Sequence, residues 1–364
     1  MAFPIRSLDD LSRLVRGSVR QYLPGTDASL KQNVLTVIAK VVALLAHEYE
    51  LRLAWIFRQL FLSTATSMPM VRMHAAEFGV LQKPSSPASG LVVGTAAPHE
   101  AYPAGVRFLS GASTFVTSDP FTANAIGEFE AKVVAERSGL DTNRDAGAEL
   151  LLADAVLYPA MSDRVVVGIG GLGGGADVET IEQLRTRALK RKSAPAQGGS
   201  LVDYEGWALE VPGVVKAWAA NFSNGFGTVG CWILVEGRAY GIPTPADLDL
   251  VDAHIVDKRL VRARFYAAAP VAVPVDLSIR LSPDTAANRA AVTASLATLF
   301  DATKPAGARV RPGLPDDPFL LLRSWISEVI STTEGEDGHS LVEPAFDLTF
   351  DPGELPVLGD ITWL

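Results

Sequence analysis

Apolar residues recur at helical spacing from Leu8 to Phe78 and give way to short alternating runs after Lys83. Ser7 and Asp10 resemble a capping box ahead of apolar positions 8, 11, 14, 15 and 19, which predicts a first amphipathic helix. A second pattern, from about residue 27 to about residue 62, predicts a helix roughly 54 Å long at 1.5 Å per residue. A third helix is predicted over 70–78, with Gly79 in the C-terminal capping position.

The long predicted helix has an unusually wide apolar stripe, which Val37 and Leu44 extend to about half the helix circumference. A stripe of this width calls for neighbours on more than one side, in either an internal bundle or a bundle shared between chains. We predict an assembly interface on this helical arm, formed by Val34, Leu35, Ile38, Val41, Val42, Leu45, Tyr49, Leu53, Ile56 and Leu60.

The remainder of the chain reads as a β-rich segment followed by alternating helices and strands. Short β-like runs are predicted at 91–95, 106–109 and 114–117. Helices are predicted over 180–192, 200–211, 286–300 and 319–330, and strands over 214–219, 228–235 and 271–281. The predicted fold class is multidomain α+β. Its segments are a helical arm (1–82), a small β-rich domain (83–165), and two α+β domains with antiparallel sheets (166–270 and 271–364).

Composition and charge narrow the function classes. Hydrophobic residues make up 48% and charged residues 20% of the chain, as in ordinary globular proteins. The net charge of -9 argues against a phosphate-binding surface, so we expect no nucleic-acid partner. Residues 1–80 carry 9 Lys/Arg and 6 Asp/Glu, whereas residues 334–364 carry 8 acidic residues and no Lys or Arg. This polarity suits either head-to-tail contacts between subunits or a solvated acidic end.

We expect neither a membrane-spanning segment nor a signal peptide. The most apolar stretch, residues 34–46, is interrupted by Lys40, and a spanning helix needs about 20 apolar residues. Charges recur every few residues near the N-terminus, so we expect the chain to stay in the compartment where it is made. Cys231 is the single cysteine, which excludes an internal disulfide and favours a buried thiol.

Candidate catalytic chemistry is sparse. The five histidines, at 47, 74, 99, 254 and 339, include no two at metal-ligand spacing, and no serine lies in a G-x-S-x-G elbow. We therefore predict no catalytic residue, no metal site and no cofactor. A carbohydrate-binding or host-recognition module in the β-rich region around 102–121 is a further alternative, which the few aromatic residues there do not favour.

The glycine tract is the strongest chemical motif. Gly168, Gly170 and Gly173 fit the G-x-G-x-x-G pattern of dinucleotide-binding turns. The acidic residue that a dinucleotide site needs about 20 positions later is missing, because that region is helical and basic. We predict a flexible hinge formed by Gly168, Gly170, Gly171, Gly173, Gly174 and Gly175, with a nucleotide-binding enzyme as the alternative.

Five sequence blocks in residues 174–364 resemble the J-like baseplate wedge proteins of contractile phage tails. In chain order they are GGADVETIEQLRTRAL, GGSLVDYEGWALEVPGVVKAW, GFGTVGCWILV, APVAVPVDLSIRL and GELPVLGDITW. Residues 1–165 match in outline only, through the arm, the Phe78-Gly79 helix end and a β segment containing Pro103-Ala104-Gly105. The chain departs from the family at Leu260, where a proline is frequent after Lys258-Arg259.

The resemblance implies a structural subunit of the virion tail baseplate, present in the host cytoplasm during assembly. It implies pairing with a second copy of the chain and with a small baseplate wedge partner protein in a helical bundle. It also implies contacts with the tail hub or spike and with sheath-initiating proteins, in a ring that rearranges when the tail contracts.

Overall fold

The chain forms two compact units in a computed structural model that describes residues 4–25, 33–221, 225–304 and 307–364. One, the helical unit, comprises residues 1–82 together with 180–193. The other, the main unit, comprises 83–179 together with 194–364. The first segment is helical, a β-rich segment follows, and helices and strands alternate in the remainder, so the multidomain α+β class is confirmed.

Within its described residues the helical unit contains four helices: α1 (Leu8–Tyr22), α2 (Val34–Gln59), α3 (Met68–Glu77) and α4 (Ile181–Ser193). The predicted cap of α1 is confirmed, since the Ser7 hydroxyl accepts the Asp10 backbone N–H at 3.2 Å. Gly79 follows α3 with φ +71°, as its capping position requires. The long helix was predicted to begin near residue 27. It begins at Val34, with Asn33 as the N-cap, and residues 26–32 lie outside the described residues.

Helix α4 shares its core with α3 and with the turn after α2. This core consists of Leu62, Ala65, Val71, Ala75, Leu184 and Ala188, all buried. The predicted start of α4 is confirmed, because the Gln183 side chain accepts both the backbone N–H and the hydroxyl of Thr180. Residues 180–193 therefore pack with the N-terminal helices, although a long stretch of β-structure separates them in sequence.

The main unit begins with a closed six-stranded barrel of order β1-β6-β4-β3-β7-β8. Its strands are β1 (Ser89–Thr95), β3 (Arg107–Ser110), β4 (Ser113–Thr117), β6 (Glu128–Ala135), β7 (Glu149–Leu152) and β8 (Arg164–Gly173), and β2 (Ala101–Tyr102) pairs with β5 (Phe121–Thr122) beside it. Alternate residues such as Phe108, Phe115 and Val133 point inward and are fully buried. Strand β8 runs across residue 165, where the sequence analysis placed the end of this domain.

The middle segment contains a three-stranded sheet of order β11-β10-β9. Its elements are α5 (Leu201–Ala208), β9 (Val214–Asn221), β10 (Thr228–Val235), α6 (Pro245–Val256) and β11 (Arg264–Ala268). Strands β9 and β10 are antiparallel as predicted, but β10 and β11 are parallel. The reason is that α6 forms the long crossover connection that parallel neighbours require.

The C-terminal segment packs two helices against a sheet of order β14-β12-β16. Its elements are β12 (Val271–Ser282), α7 (Ala286–Phe300), β13 (Phe319–Leu321), α8 (Arg323–Ser331), β14 (Gly338–Glu343), β15 (Leu348–Phe350) and β16 (Glu354–Trp363). The β12–β14 pair is antiparallel as predicted, whereas β12 and β16 are parallel, with the helices of this segment lying between them in sequence.

The helix predicted over 319–330 is corrected at its start. Residues 319–321 form β13, in which Phe319 and Leu321 are buried on either side of exposed Leu320. This alternation fits a strand that pairs with β15, and α8 begins only at Arg323.

Candidate functional site

The face of α2 that the chain covers itself is made largely of small residues. Thr36, Ala39 and Ala43 are buried and recur at helical spacing, and buried Ala54 continues the same face. Helix α1 packs against α2 and contributes its single buried residue, Leu11. Small side chains let the two helices lie close together, and they use little of the apolar surface of α2.

The large apolar side chains of α2 point away from this contact. Ile38, Leu45 and Tyr49 keep 51%, 51% and 59% of their surface exposed. Of the ten predicted interface residues, Leu35 is half-buried and the other nine are exposed. Leu51, Trp55 and Phe61 are exposed as well and were not in the predicted set. We call the exposed apolar side chains of residues 34–61 the arm face; that it is an interface stays a prediction.

An ion pair holds the start of α1 against α2. The Arg6 backbone N–H donates to Glu50 Oε2 at 2.7 Å, its side-chain Nε lies 2.5 Å from Oε1, and His47 Nδ1 lies 3.1 Å from the Arg6 carbonyl. The backbone and then the side chain of Arg6 lower the pKa of Glu50. Glu50 and His47 both lie on the α1 side of α2, so these contacts fix which face of α2 is left uncovered.

Polar side chains also fix the C-terminal end of α2. The Gln59 side chain accepts the backbone N–H groups of Thr66 and Ser67 at 3.0 and 3.1 Å, and its backbone carbonyl lies 2.8 Å from His74 Nε2. Arg185 of α4 donates to the carbonyls of Leu62 and Ala65. This positively charged side chain of α4 therefore helps to close the turn after α2.

The predicted hinge glycines lie at the end of the barrel and just beyond it. Gly168, Gly170, Gly171 and Gly173 are in β8, and Gly174 and Gly175 follow. Gly171 and Gly174 have φ values of +74° and +81°, which favour glycine over any residue with a side chain. Whether this tract moves stays a prediction.

Asp247, at the start of α6, makes a direct polar contact with the glycine tract. Its Oδ1 accepts the Gly174 N–H at 2.7 Å, and its Oδ2 accepts the N–H and hydroxyl of Thr244 at 2.9 and 2.8 Å. Arg238 Nη2 lies 3.3 Å from the same oxygen, and both side chains are almost completely buried. A Cβ on Gly173 would lie 2.3 Å from Asp247 Oδ1, so only glycine fits there.

Asn143 holds the tract from the other side. Its side chain donates to the Gly175 carbonyl and accepts the Gly175 N–H, each at 2.9 Å. Neither anchor was predicted from the sequence, because Asn143 lies far before the tract and Asp247 lies far after it. The capping pattern of Thr244 and Asp247 was the one local signal available.

The geometry of β8 does not match a dinucleotide-binding turn. That turn joins a parallel strand to a helix, whose N-terminus then faces the phosphates. Here Gly168, Gly170 and Gly173 lie within a strand that pairs antiparallel with both β1 and β7. Close packing requires glycine at position 173 and leaves little space at position 168, whereas position 170 has room for a side chain.

A triad-like arrangement occurs in the C-terminal segment. Ser327 Oγ lies 2.7 Å from His339 Nε2, and His339 Nδ1 lies 2.9 Å from Glu336 Oε1. Ser327 sits in the interior of α8, where the neighbouring backbone N–H groups are bonded along the helix and do not form an oxyanion hole. The network therefore joins α8 to the start of β14 as a structural contact.

Over the described ranges the chain offers neither a metal-binding cluster nor a membrane-spanning helix. No group of three or more His, Cys, Asp or Glu side chains there is placed to hold a metal ion. Among the same residues, no helix combines the length and the apolar content needed to cross a bilayer. Cys231 is buried in β10, as predicted.

Two family models match the second half of the chain. A model described as the Baseplate J-like central domain matches residues 196–277. A model described as the Baseplate J-like protein C-terminal domain matches residues 275–364. The matched ranges meet at the start of β12, where the middle and C-terminal segments join.

Similar proteins extend the match to the full length. The Mu-like prophage FluMu protein gp47 of Haemophilus influenzae is 33% identical over 366 residues, covering 97% of this chain and 98% of that protein. Baseplate protein gp47 of Escherichia phage Mu is 29% identical over 376 residues, covering 100% of both. A chain in the baseplate of the anti-feeding prophage is 14% identical with a TM-score of 0.42, covering 99% of this chain and 92% of that one.

Proposed function

The chain belongs to the baseplate J-like family, and from this premise we propose that it is a wedge subunit of a contractile tail. The family and the relatives identify a structural protein of a phage-type tail baseplate, not an enzyme. The proposal adds a mode of assembly, in which the arm face forms a helical bundle with a second copy and a small wedge partner protein.

The exposure of the arm face is the observation that carries this proposal. Large apolar side chains cover α2 on the sides that α1 leaves open, and several are about half exposed. Monomeric proteins rarely leave so continuous an apolar surface uncovered. Fully burying a Val, Leu, Ile or Phe side chain contributes about 1.5–3 kcal/mol, so covering the exposed half of one contributes about 1 kcal/mol. Summed over the helix, this burial favours association into a bundle.

Six such wedges, in this proposal, close a ring around the tail hub and spike and hold the sheath-initiating proteins. The subunit assembles in the host cytoplasm before it becomes part of the virion. Rearrangement on contraction uses the glycine tract as its hinge. The bonds from Asp247 and Asn143 to that tract hold one state, and they must break before the tract can change its backbone angles.

A double substitution in the arm face tests the assembly mode. Ile38→Asp with Leu45→Asp places two charges on exposed apolar positions, so it is expected to abolish self-association and partner binding while both units stay folded. Mass in solution by light scattering over a range of concentrations, with and without the small partner, measures the association. Circular dichroism and thermal unfolding measure the fold.

Lys40→Asp is the matched control, because it changes the net charge by the same amount at an exposed polar position of the same helix. It is expected to associate as the unchanged chain does. If the unchanged chain stays monomeric at every concentration with its partner present, the proposed function is wrong. Loss of the whole fold in the double variant would place the arm face inside the chain's own core and also contradict it.

A further inference from the structure

An exposed aromatic side chain projects from the turn between β14 and β15. Phe346 keeps 82% of its surface exposed, and Glu343 and Asp347 on either side of it are exposed too. Large aromatic side chains are the residue type that most often anchors a protein interface. The flanking carboxylates favour a partner surface that carries positive charge.

The turn that carries Phe346 is held in place by hydrogen bonds. Glu343 Oε2 accepts the Ala345 N–H at 3.2 Å, and Asp347 Oδ1 accepts the Arg323 N–H at 2.8 Å. The Arg323 guanidinium donates to the carbonyls of Pro344, at 3.0 Å, and Leu341. A turn fixed in this way has little backbone freedom to lose on binding, which favours its use as an interface anchor.

The chain itself contains a surface with the complementary properties, in the loop between α6 and β11. A hydrogen bond from the Ala263 N–H to the Leu260 carbonyl, at 3.0 Å, forms a turn with Val261 and Arg262 at its tip. Val261 is 98% exposed and Leu260 is 53% exposed. Arg262 and Arg264 are exposed beside them.

Arginine is well suited to meet Phe346 and its neighbours. Its guanidinium both pairs with carboxylates and stacks on aromatic rings. The C-terminal segment already uses this contact three times, with Arg289 over Trp363, Arg309 over Trp325 and Arg311 over Phe319, at 5.5–5.7 Å from the ring centres.

We propose that Phe346 of one copy docks on the loop 260–264 of a second copy, with Glu343 and Asp347 facing Arg262 and Arg264. The two surfaces are different, so the contact is heterologous and can close a ring of identical chains. This inference rests on the proposed function, since a ring-forming subunit needs contacts between wedges in addition to the bundle within one. It gives the acidic C-terminal end a partner in the chain's own middle segment.

Disulfide trapping between separately purified full-length variants tests the contact. Val261→Cys and Ala345→Cys are mixed and oxidised, and the cross-linked dimer is measured by gel and mass spectrometry. The expected result is a disulfide between positions 261 and 345, in a yield well above that of the dimer formed by either variant oxidised alone. The buried Cys231 contributes little background. Ile126→Cys, on an exposed turn of the barrel, replaces either variant as the control for accidental collisions.

Charge reversal separates the proposed contact from chance proximity. Arg262→Glu in the Val261→Cys chain is expected to lower the yield about tenfold, and Glu343→Arg in the Ala345→Cys chain to restore much of it. The inference is overturned if the yield of the disulfide between positions 261 and 345 equals that of the Ile126→Cys control. It is also overturned if neither charge change alters that yield. If Phe346 docks on another protein instead, the yield will equal that of the Ile126→Cys control.

The two proposals fail separately. A sample that associates through the arm face but gives no Val261–Ala345 link overturns this inference and leaves the proposed function standing. A sample that gives the link but whose association is unchanged by Ile38→Asp with Leu45→Asp overturns the proposed bundle alone.

Discussion

At the scale of single residues, Asp247 shows why the end of β8 requires glycine. One carboxylate caps α6, accepts the Gly174 N–H and faces the buried Arg238 guanidinium. These three tasks bring it so close to β8 that Gly173 has no room for a side chain. Glycine is required at position 173 because a charged group lies against its backbone, which a sequence pattern of glycines alone does not reveal.

Asp247→Ala is expected to lower the free energy of unfolding of the main unit by about 3–5 kcal/mol, because it leaves the buried Arg238 without its one buried carboxylate partner. Denaturant unfolding followed by tryptophan fluorescence measures the change. Asp145→Ala is the control, since Asp145 pairs with the same Arg238 at 2.8 Å but its side chain is 87% exposed. That change should cost at most about 1 kcal/mol. Equal costs for the two variants would contradict the role given to Asp247.

At the scale of elements, the start of α5 depends on a carboxylate in the same way. Burial raises the pKa of Asp203, but hydrogen bonds from the backbone N–H groups of Gly199, Ser200 and Gln197 outweigh burial and bring the pKa below its ordinary value. The folded state therefore favours the charged form. This contribution to stability is present above the unfolded pKa of about 3.9 and is lost as the pH falls through the lower, folded value.

Asp203→Asn tests this sign. At pH 7 it should lower the free energy of unfolding by about 1–3 kcal/mol, because hydrogen bonds to a charged acceptor are lost. The difference from the unchanged chain should shrink as the pH is lowered below about 4. Unfolding curves between pH 3 and 7 measure it, with the exposed Asp257→Asn as control. A difference that stays constant with pH would show that the charge of Asp203 is not what matters.

Elements with local signals were predictable, and those set by distant partners were not. Capping residues and helical spacing placed the start of α1, and both ends of α4 and α7, within a residue. The strand at 319–321 was predicted as helix, because its identity depends on pairing with β15, which follows only after α8 and β14. The parallel β12–β16 pair likewise joins the first and last strands of the C-terminal segment, which no local pattern encodes.

The same distinction between local signals and distant partners applies to the candidate site. The spacing of apolar residues identified the side chains of the arm face, because exposure on a helix follows from the helical period. It did not show which side α1 would cover, since that depends on Arg6 reaching Glu50, a distant residue in sequence. Exposed Trp55 and Phe61 were missed because a helix apolar on several sides does not define one stripe.

At the scale of the whole molecule, the chain passes between its two units three times, near residues 82, 179 and 193. The first two crossings lie together in the main unit, where Glu179 accepts the Lys83 N–H at 2.9 Å. Helix α4 therefore belongs to the helical unit, although residues of the main unit precede and follow it in sequence. A division of the chain at residue 82 alone would separate α4 from the residues that bury it.

Removing residues 1–82 is therefore expected to unfold α4 while the main unit stays folded. Leu184 and Ala188 are fully buried against residues of the deleted segment, and so short a helix is marginal in water without such packing. Hydrogen exchange read by mass spectrometry should show that amides in 181–193 lose their protection in the 83–364 chain, while those of barrel strands β1 and β6 keep theirs. Full protection of α4 in the shortened chain would mean that the main unit holds this helix by itself.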